Sequence, residues 1–276
     1  MFPEIGSQYQ FVKELGRGGT AVVNLAVDLY TGNRVAIKSL FNSIVDNNPE
    51  MLERFRIEAN IYLMLSHKNI VKLKNFSLKN GAHLMMDYIE GQTIDEYINN
   101  VTGPIPSEVT IAMIKDIVSA IGYAHNKKIP ISGYHGVLHL DIKPSNILIS
   151  KTGEVMIIDY GISKGTDEER GEKIMGSPMY MAPEQLDIEK ELDCRTDIYS
   201  LGVLMHQMLT GTTPYSKYIS REELFNEIRN NPLERMVKFY PQVDVRLQAV
   251  IDKATSKDPR KRYQNCEEIL QALEEL

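Results

Sequence analysis

At 276 residues the chain is longer than one typical core, which fits one large two-lobed unit or two small domains. Its 43% hydrophobic and 25% charged content is ordinary for a soluble globular protein. A net charge of -6 argues against nucleic acid as a main partner, since phosphate neutralisation needs clustered Lys and Arg. Cys194 and Cys266 belong to no CxxC pair and read as reduced thiols of a cytoplasmic protein. The stretch "MFPEIGSQYQ" lacks a basic n-region and an apolar h-region, and no apolar run reaches the roughly 18–20 residues of a bilayer span. Neither a secretory leader nor a membrane segment is expected.

Between residues 9 and 90 the pattern is mostly strand. "YQFVKELG" and "AVVNLAVD" are apolar-rich β runs flanking "RGGT", and "LYTGN" is turn chemistry leading into "RVAIKSL". One helix is expected from about Pro49 to Ser66, where Met51, Leu52, Phe55, Ala59, Tyr62 and Leu63 recur at helical spacing. "NIVKLKNFSL", a "KNG" turn and "HLMMDYIE" give another strand pair. After Gly91 the texture turns helical in "SEVTIAMIKDIVSAIGYAH", "TDIYSLGVLMHQMLTG", "SREELFNEI", "VRLQAVIDKAT" and "NCEEILQAL", several opening with Ser, Thr or Asn at the cap position. A β-rich part followed by a helical part is α+β, with "MMDYIEGQT" as the natural hinge.

Four stretches carry chemistry. In "GRGGTAVV" the glycines would let backbone N–H groups approach phosphate oxygens, although the same residues also make an ordinary hairpin. No helix follows them, as a dinucleotide site would need, and no Gly-Lys-Ser/Thr is present. In "VAIK", strand alternation puts Ala36 and Lys38 on one face, a flat seat beside an ammonium. Glu58 lies three residues after Phe55 and four before Tyr62, on the buried side of its helix. A carboxylate there needs a cation, and Lys38 is the expected one. Glu50 and Glu53 lie nearer the helix start, where capping explains them. In "HLDIKPSN", Pro144 breaks helical continuity, so Asp141 and Asn146 can point from a loop into one site. Asp141 could accept a hydroxyl proton, Lys143 could neutralise a phosphoryl group, and Asn146 could ligate a cation such as Mg²⁺. In "IIDYG", Asp159 stands at a strand end before a flexible Gly161.

Taken in order, "GRGGTAVV", "VAIK", Glu58, "HLDIKPSN", "DYG", "SPMYMAPE", "DIYSLG" and "DPRKR" resemble the protein kinase family, specifically its Ser/Thr branch in bacterial (Hanks-type) form. The resemblance covers nearly the whole chain. It implies one bilobal domain over 1–276, with a β-rich N-lobe of about 1–86, a hinge of about 87–91 and a mainly α-helical C-lobe of about 92–276. It implies ATP with Mg²⁺ or Mn²⁺, a protein substrate bearing a Ser or Thr acceptor, and a monomer or weak homodimer. By the same resemblance Lys38 contacts the α/β-phosphates and pairs with Glu58, Asn146 and Asp159 hold the metal, and Asp141 is the catalytic base assisted by Lys143. Gly16, Gly18 and Gly19 would cover the phosphates. Val23, Ala36 and Leu148 would sandwich the base, beside Met86 as gatekeeper and Asp87, Tyr88 and Ile89 as hinge contacts. Tyr62, Leu73, His139 and Tyr160 fall where the family stacks its regulatory spine, tethered by Asp197. Glu184 should pair with Arg262, and Lys143 with Ser177 fits the Ser/Thr-specific pattern.

The departures are as informative. Ala21 replaces the usual third glycine, Tyr160 replaces the Phe of "DFG", and "IPISGYHG" is extra length with no assigned role, an ordinary surface insertion by default. Leu140 stands where the common pattern has an Arg that receives a phosphorylated activation loop. A loop held without phosphorylation is therefore expected, its hydroxyls being Ser163, Thr166, Ser177 and Tyr180; equally, Leu140 could simply fill an apolar pocket. The expected function is ATP-dependent transfer of the γ-phosphoryl group to protein Ser/Thr hydroxyls. The alternative is a pseudokinase, an ATP-binding or scaffolding module, although such a module need not keep a base. A small-molecule kinase is disfavoured by the "APE" segment and Arg262.

Overall fold

The computed structural model describes residues 8–79, 81–128, 136–160, 176–217, 220–239 and 243–276, and the backbone of 164–165. These fall into two compact units, Met1–Glu90 and Gly91–Leu276. The architecture is α+β, with an antiparallel sheet in the first unit and mostly helices in the second.

In the first unit, β1 (Tyr9–Arg17), β2 (Ala21–Asp28), β3 (Arg34–Leu40), β4 (Leu73–Ser77) and β5 (His83–Asp87) form an antiparallel sheet in the order β1-β2-β3-β5-β4. The β2–β3 turn is built by Asp28, whose carboxylate accepts from Tyr30 N–H (3.0 Å) and whose carbonyl accepts from Gly32 N–H (2.7 Å). Gly32 has φ of +71°, the left-handed backbone that such a turn requires. One sheet face buries Ala26, Val35, Ile37 and Met85 as a core. Two helices lie between β3 and β4, not one: α1 (Asn42–Asn47) and α2 (Pro49–Met64). The short α1 buries no residue, so no apolar stripe marks it in the sequence. Asn48 caps α2 by accepting from Met51 N–H (3.0 Å), with Pro49 at the first helical position.

The second unit opens with β6 (Gly91–Thr93) and α3 (Ile94–Tyr97), started by a capping box between Thr93 and Glu96. Then follow α4 (Ser107–His125), β7 (Val137–Leu138), a tight turn at Pro144–Asn146, β8 (Ile147–Ser150), β9 (Val155–Ile157) and β10 (Lys164–Gly165). The sheets are β6-β8-β9 and β10-β7. Four helices complete it: α5 (Cys194–Thr210), α6 (Arg221–Asn230), α7 (Val245–Ala254) and α8 (Cys266–Glu274). Two boundaries differ from the sequence expectation. Ser107 is the first helical residue of α4 and caps nothing, while α5 starts two residues before Thr196 because Asp193 caps it through Arg195 N–H (2.9 Å). From Thr196 to Thr210 every residue of α5 is buried, the signature of a helix enclosed on all sides. Gly202 permits this, since a Cβ there would sit 2.6 Å from a Thr255 methyl group.

Arg262 anchors this helical unit. Its guanidinium makes two parallel bonds to Glu184, 2.6 and 2.9 Å long, and its remaining N–H groups donate to the carbonyls of Ser256, Arg195 and Lys257. All five donors are thereby used, and Thr196 Oγ1 adds a bond to Glu184 (3.0 Å). With side chains 0% and 6% exposed, the pair persists because its polar groups are matched. Removing one partner strands the other, so Arg262→Ala should destabilise the fold by about 3–5 kcal/mol. Arg262→Lys, which lacks the fork, should recover only part of this. Urea unfolding of both variants measures the difference.

Candidate active site

In the first unit the strand register brings together four of the residues singled out from the sequence. Val23 faces Lys38 across β2–β3, and Ala36 faces Met86 across β3–β5. Facing residues of antiparallel strands point the same way, so Val23, Ala36, Lys38 and Met86 share the face opposite the Val35/Ile37 core. Glu58 of α2 meets this face: Lys38 Nζ donates to its Oε1 at 3.0 Å, with side chains only 16% and 7% exposed. Glu50 and Glu53, the rivals, instead pair with Arg54 and Arg56 on their own helix. Gly16 and Gly19 have nothing within 4 Å of where a Cβ would stand, so the protein's own packing does not require glycine there. Gly18 is different, because its N–H closes the turn onto Ala21 O (2.8 Å) and is committed to the hairpin. Asp87 N–H is likewise committed to Lys72 O (3.0 Å), and its carboxylate pairs with Lys74 (2.7 Å). Tyr88 and Ile89 are half-buried. Tyr62 and Leu73 are both buried in this unit.

In the second unit the segment His139–Asn146 is organised by one carboxylate. Asp197 of α5 is fully buried; its Oδ2 accepts from His139 N–H (2.8 Å) and its Oδ1 from Leu140 N–H (2.8 Å). His125, at the end of α4, donates from Nε2 to Oδ2 (2.8 Å). Burial alone would raise the Asp197 pKa, but the hydrogen bonds and charge of His125, followed by His139, hold it below the usual carboxylate range. Leu140 has φ of 63° and is the sole described non-glycine residue with positive φ. Its side chain is buried.

Asp141 follows that strained residue. Its Oδ1 accepts from Ser177 N–H (2.9 Å), and its Oδ2 accepts from Lys143 Nζ (2.8 Å) and Asn146 Nδ2 (3.1 Å). Lys143 Nζ also donates to Ser177 Oγ (2.7 Å), so Asp141, Lys143, Asn146 and Ser177 form one cluster. The turn that Pro144 begins lets Asn146 reach back to Asp141 O (2.9 Å) as well. With both Asn146 bonds made by Nδ2, its Oδ1 is left as an oxygen donor for a cation. Ile158 N–H donates to Asn146 O (3.0 Å), which sets Asp159 at the same end of the β8–β9 hairpin. Among the described residues no group of three or more His, Cys, Asp or Glu could hold a metal. An amide oxygen and a carboxylate fit a hard cation that takes its other ligands from phosphate and water. Leu148 is half-buried in β8, opposite Thr93 and Met156.

Tyr160 is fully buried, its ring 4.5 Å from that of His139 between centroids. Burial pushes the His139 pKa down despite the nearby carboxylates of Asp197, Asp141 and Asp159. A neutral ring leaves Nδ1 as acceptor for Asp141 N–H (3.2 Å). Sequence reasoning missed two participants, His125 and Gln185. Cys266 Sγ, 3.6 Å from the Nδ1 of His125, supports that ring from α8. Gly161, Ser163, Thr166 and residues 129–135 of the extra segment lie outside the described residues.

With this geometry in hand, the chain belongs to the protein kinase family: residues 9–273 match its protein kinase domain. Among curated relatives it sits with Hanks-type bacterial serine/threonine kinases. It is 30% identical to the probable serine/threonine-protein kinase PknB of Lactococcus lactis over 95% of this chain and 41% of that protein. It is 33% identical to the serine/threonine-protein kinase PrkC of Bacillus subtilis over 96% of this chain and 40% of that protein. For PknB of Mycobacterium leprae the identity is 29% over 97% and 42%. The chain therefore spans about two fifths of the length of these relatives. No helix among its described residues is long and apolar enough to cross a membrane.

The buried histidines give a pH signature. Burial lowers the pKa of His139 and of His206, so below the ordinary value of about 6.5 the unfolded chain binds protons that the folded chain does not. Their contribution is complete above about pH 6.5 and is lost as pH falls toward the folded-state values, by up to about 1.4 kcal/mol per pH unit per histidine. Urea unfolding between about pH 7.5 and 5.5 should show this decline, and a flat profile would contradict it.

Proposed function

We propose that the chain catalyses transfer of the γ-phosphoryl group of Mg-ATP to Ser or Thr hydroxyls of a protein substrate. The observation that carries this is the fixed Asp141 carboxylate, held at both oxygens by Ser177, Lys143 and Asn146. Such a carboxylate orients the acceptor hydroxyl and takes its proton as the oxygen attacks the γ-phosphorus. Lys143 neutralises charge building on the transferred group. Lys38, kept in place by Glu58, holds the α/β-phosphates, and the backbone around Gly16 and Gly19 covers them. Val23, Ala36, Met86 and Leu148 supply the apolar seat of the base, with Asp87, Tyr88 and Ile89 beside it. Mg²⁺, held through Asn146 and Asp159, would offset phosphate charge.

In this reading residues 1–276 are one kinase domain, acting in the cytoplasm, with a hinge of about 87–91 between a β-rich part of about 1–86 and a helical part of about 92–276. Activity does not depend on a phosphorylated activation segment, since Leu140 offers no cation to receive a phosphate.

Incubation with labelled ATP, Mg²⁺ and a generic protein substrate tests the reaction. Label should reach Ser and Thr, and Asp141→Asn should lower the rate by about 10²–10⁴-fold. ATP binding with no transfer by the unmutated chain would favour a binding-only module. The Ser163→Ala/Thr166→Ala double variant should keep its rate within a few-fold. Collapse of activity in a folded double variant would refute independence from phosphorylation.

A further inference from the structure

We propose that Gln185 is a positioning residue for the phosphoryl transfer, tying segment 176–185 to the Leu140–Asp141 peptide by a neutral hydrogen bond. This rests on the kinase reading above and concerns what fixes Asp141 when no phosphate is present.

Leu140 sits in left-handed backbone, which a leucine adopts only where its surroundings dictate it. Its N–H is held by Asp197, and its carbonyl accepts from Gln185 Nε2 at 3.2 Å. The next N–H, that of Asp141, is held by His139 Nδ1. The peptide plane that launches Asp141 is therefore gripped at its oxygen by Gln185 and at its N–H by His139. Gln185 is only 2% exposed, and its amide has one possible orientation: Oε1 must accept from Ala182 N–H (2.8 Å), so Nε2 faces Leu140. Gly176 reaches the same oxygen. Its φ is +115°, and a Cβ there would stand 2.9 Å from Leu140 O and 3.5 Å from Gln185 Nε2. The neighbouring Ser177 then gives its N–H to Asp141.

Residues 176–177 and 182–185 thus close on one strained peptide from two directions. The atoms that join them to Leu140 itself carry no formal charge. In the common pattern an arginine at position 140 would gather a phosphate; here the Leu140 side chain is buried, and its backbone carbonyl does the gathering. Loss of the donor, or its replacement by an anion, should leave ATP affinity nearly unchanged, because the bonds described for Gln185 run to Ala182 and Leu140, neither of them a proposed nucleotide contact.

Gln185→Met and Gln185→Glu, made in the 276-residue chain, separate these roles. Gln185→Met removes the donor at similar volume; kcat should fall roughly 10–100-fold, as a misplaced reacting group costs, with KM for ATP nearly unchanged. Gln185→Glu can donate to Leu140 O only when protonated, so its kcat relative to the unmutated chain should rise as pH drops from about 8.5 to about 6. Hydrogen exchange over residues 139–141, which needs no catalysis, should accelerate in Gln185→Met. Full kcat in Gln185→Met, unaltered exchange there, or a Gln185→Glu chain equally impaired at both pH values would overturn the proposal. If Gln185→Met fails to fold, the Gln185→Glu pH series decides alone. An unmutated chain that transfers no phosphate refutes the kinase reading itself, and the exchange measurement still tests the tie.

Discussion

A single buried carboxylate sets the geometry on which the segment His139–Asn146 depends. Asp197, enclosed within α5, receives two consecutive backbone N–H groups, those of His139 and Leu140, and the ring of His125. Left-handed backbone at a residue with a Cβ costs about 1–2 kcal/mol. A hydrogen bond to a charged group contributes about 1.5–3 kcal/mol, and Asp197 makes three. The clamp therefore outweighs the strain it imposes, and it points the next residue, Asp141, toward Lys143, Asn146 and Ser177. α5 can present a charge so deeply because the His125 ring and the N–H groups of His139 and Leu140 are directed at it.

Charge is used elsewhere in this chain where a fixed distance must be kept. Lys38–Glu58 and Arg262–Glu184 are both largely buried pairs, where loss of one member would leave the other's charge without its counter-charge. At Leu140 the chain does the reverse. It places an apolar side chain in the interior and leaves the joining to backbone groups and one glutamine amide. A phosphate-gathered loop needs a cation whose charge is costly to bury until the phosphate arrives. A leucine carries no such cost.

Much of this was legible in the sequence, and the physical reasons are specific. Strand alternation placed Ala36 and Lys38 on one face, and Glu58 declared itself as a carboxylate on a buried helical stripe. The Pro144 break explained how Asp141 and Asn146 reach one cluster. What stayed hidden depends on contacts between residues far apart in the chain. Leu140 carries no propensity for positive φ, so its backbone could not be foreseen. Gln185 is an ordinary polar residue until the chain folds it against Leu140, 45 positions away. His125 drew no notice because its partner, Asp197, lies 72 positions away. The short α1 escaped because it buries nothing, and the early start of α5 because Asp193 rather than the expected Thr caps it.

The central claim is that Leu140 is held in left-handed backbone before any phosphorylation. Its most direct test compares the unfolding free energies of Leu140→Gly and Leu140→Ala in urea, in a chain never exposed to ATP. Both variants lose the buried leucine side chain, and they differ in tolerance of positive φ. The account predicts that Leu140→Gly is the more stable by about 1 kcal/mol, against the usual order in which Gly costs about 0.5–1 kcal/mol relative to Ala. Equal stabilities, or a more stable Leu140→Ala, would contradict it.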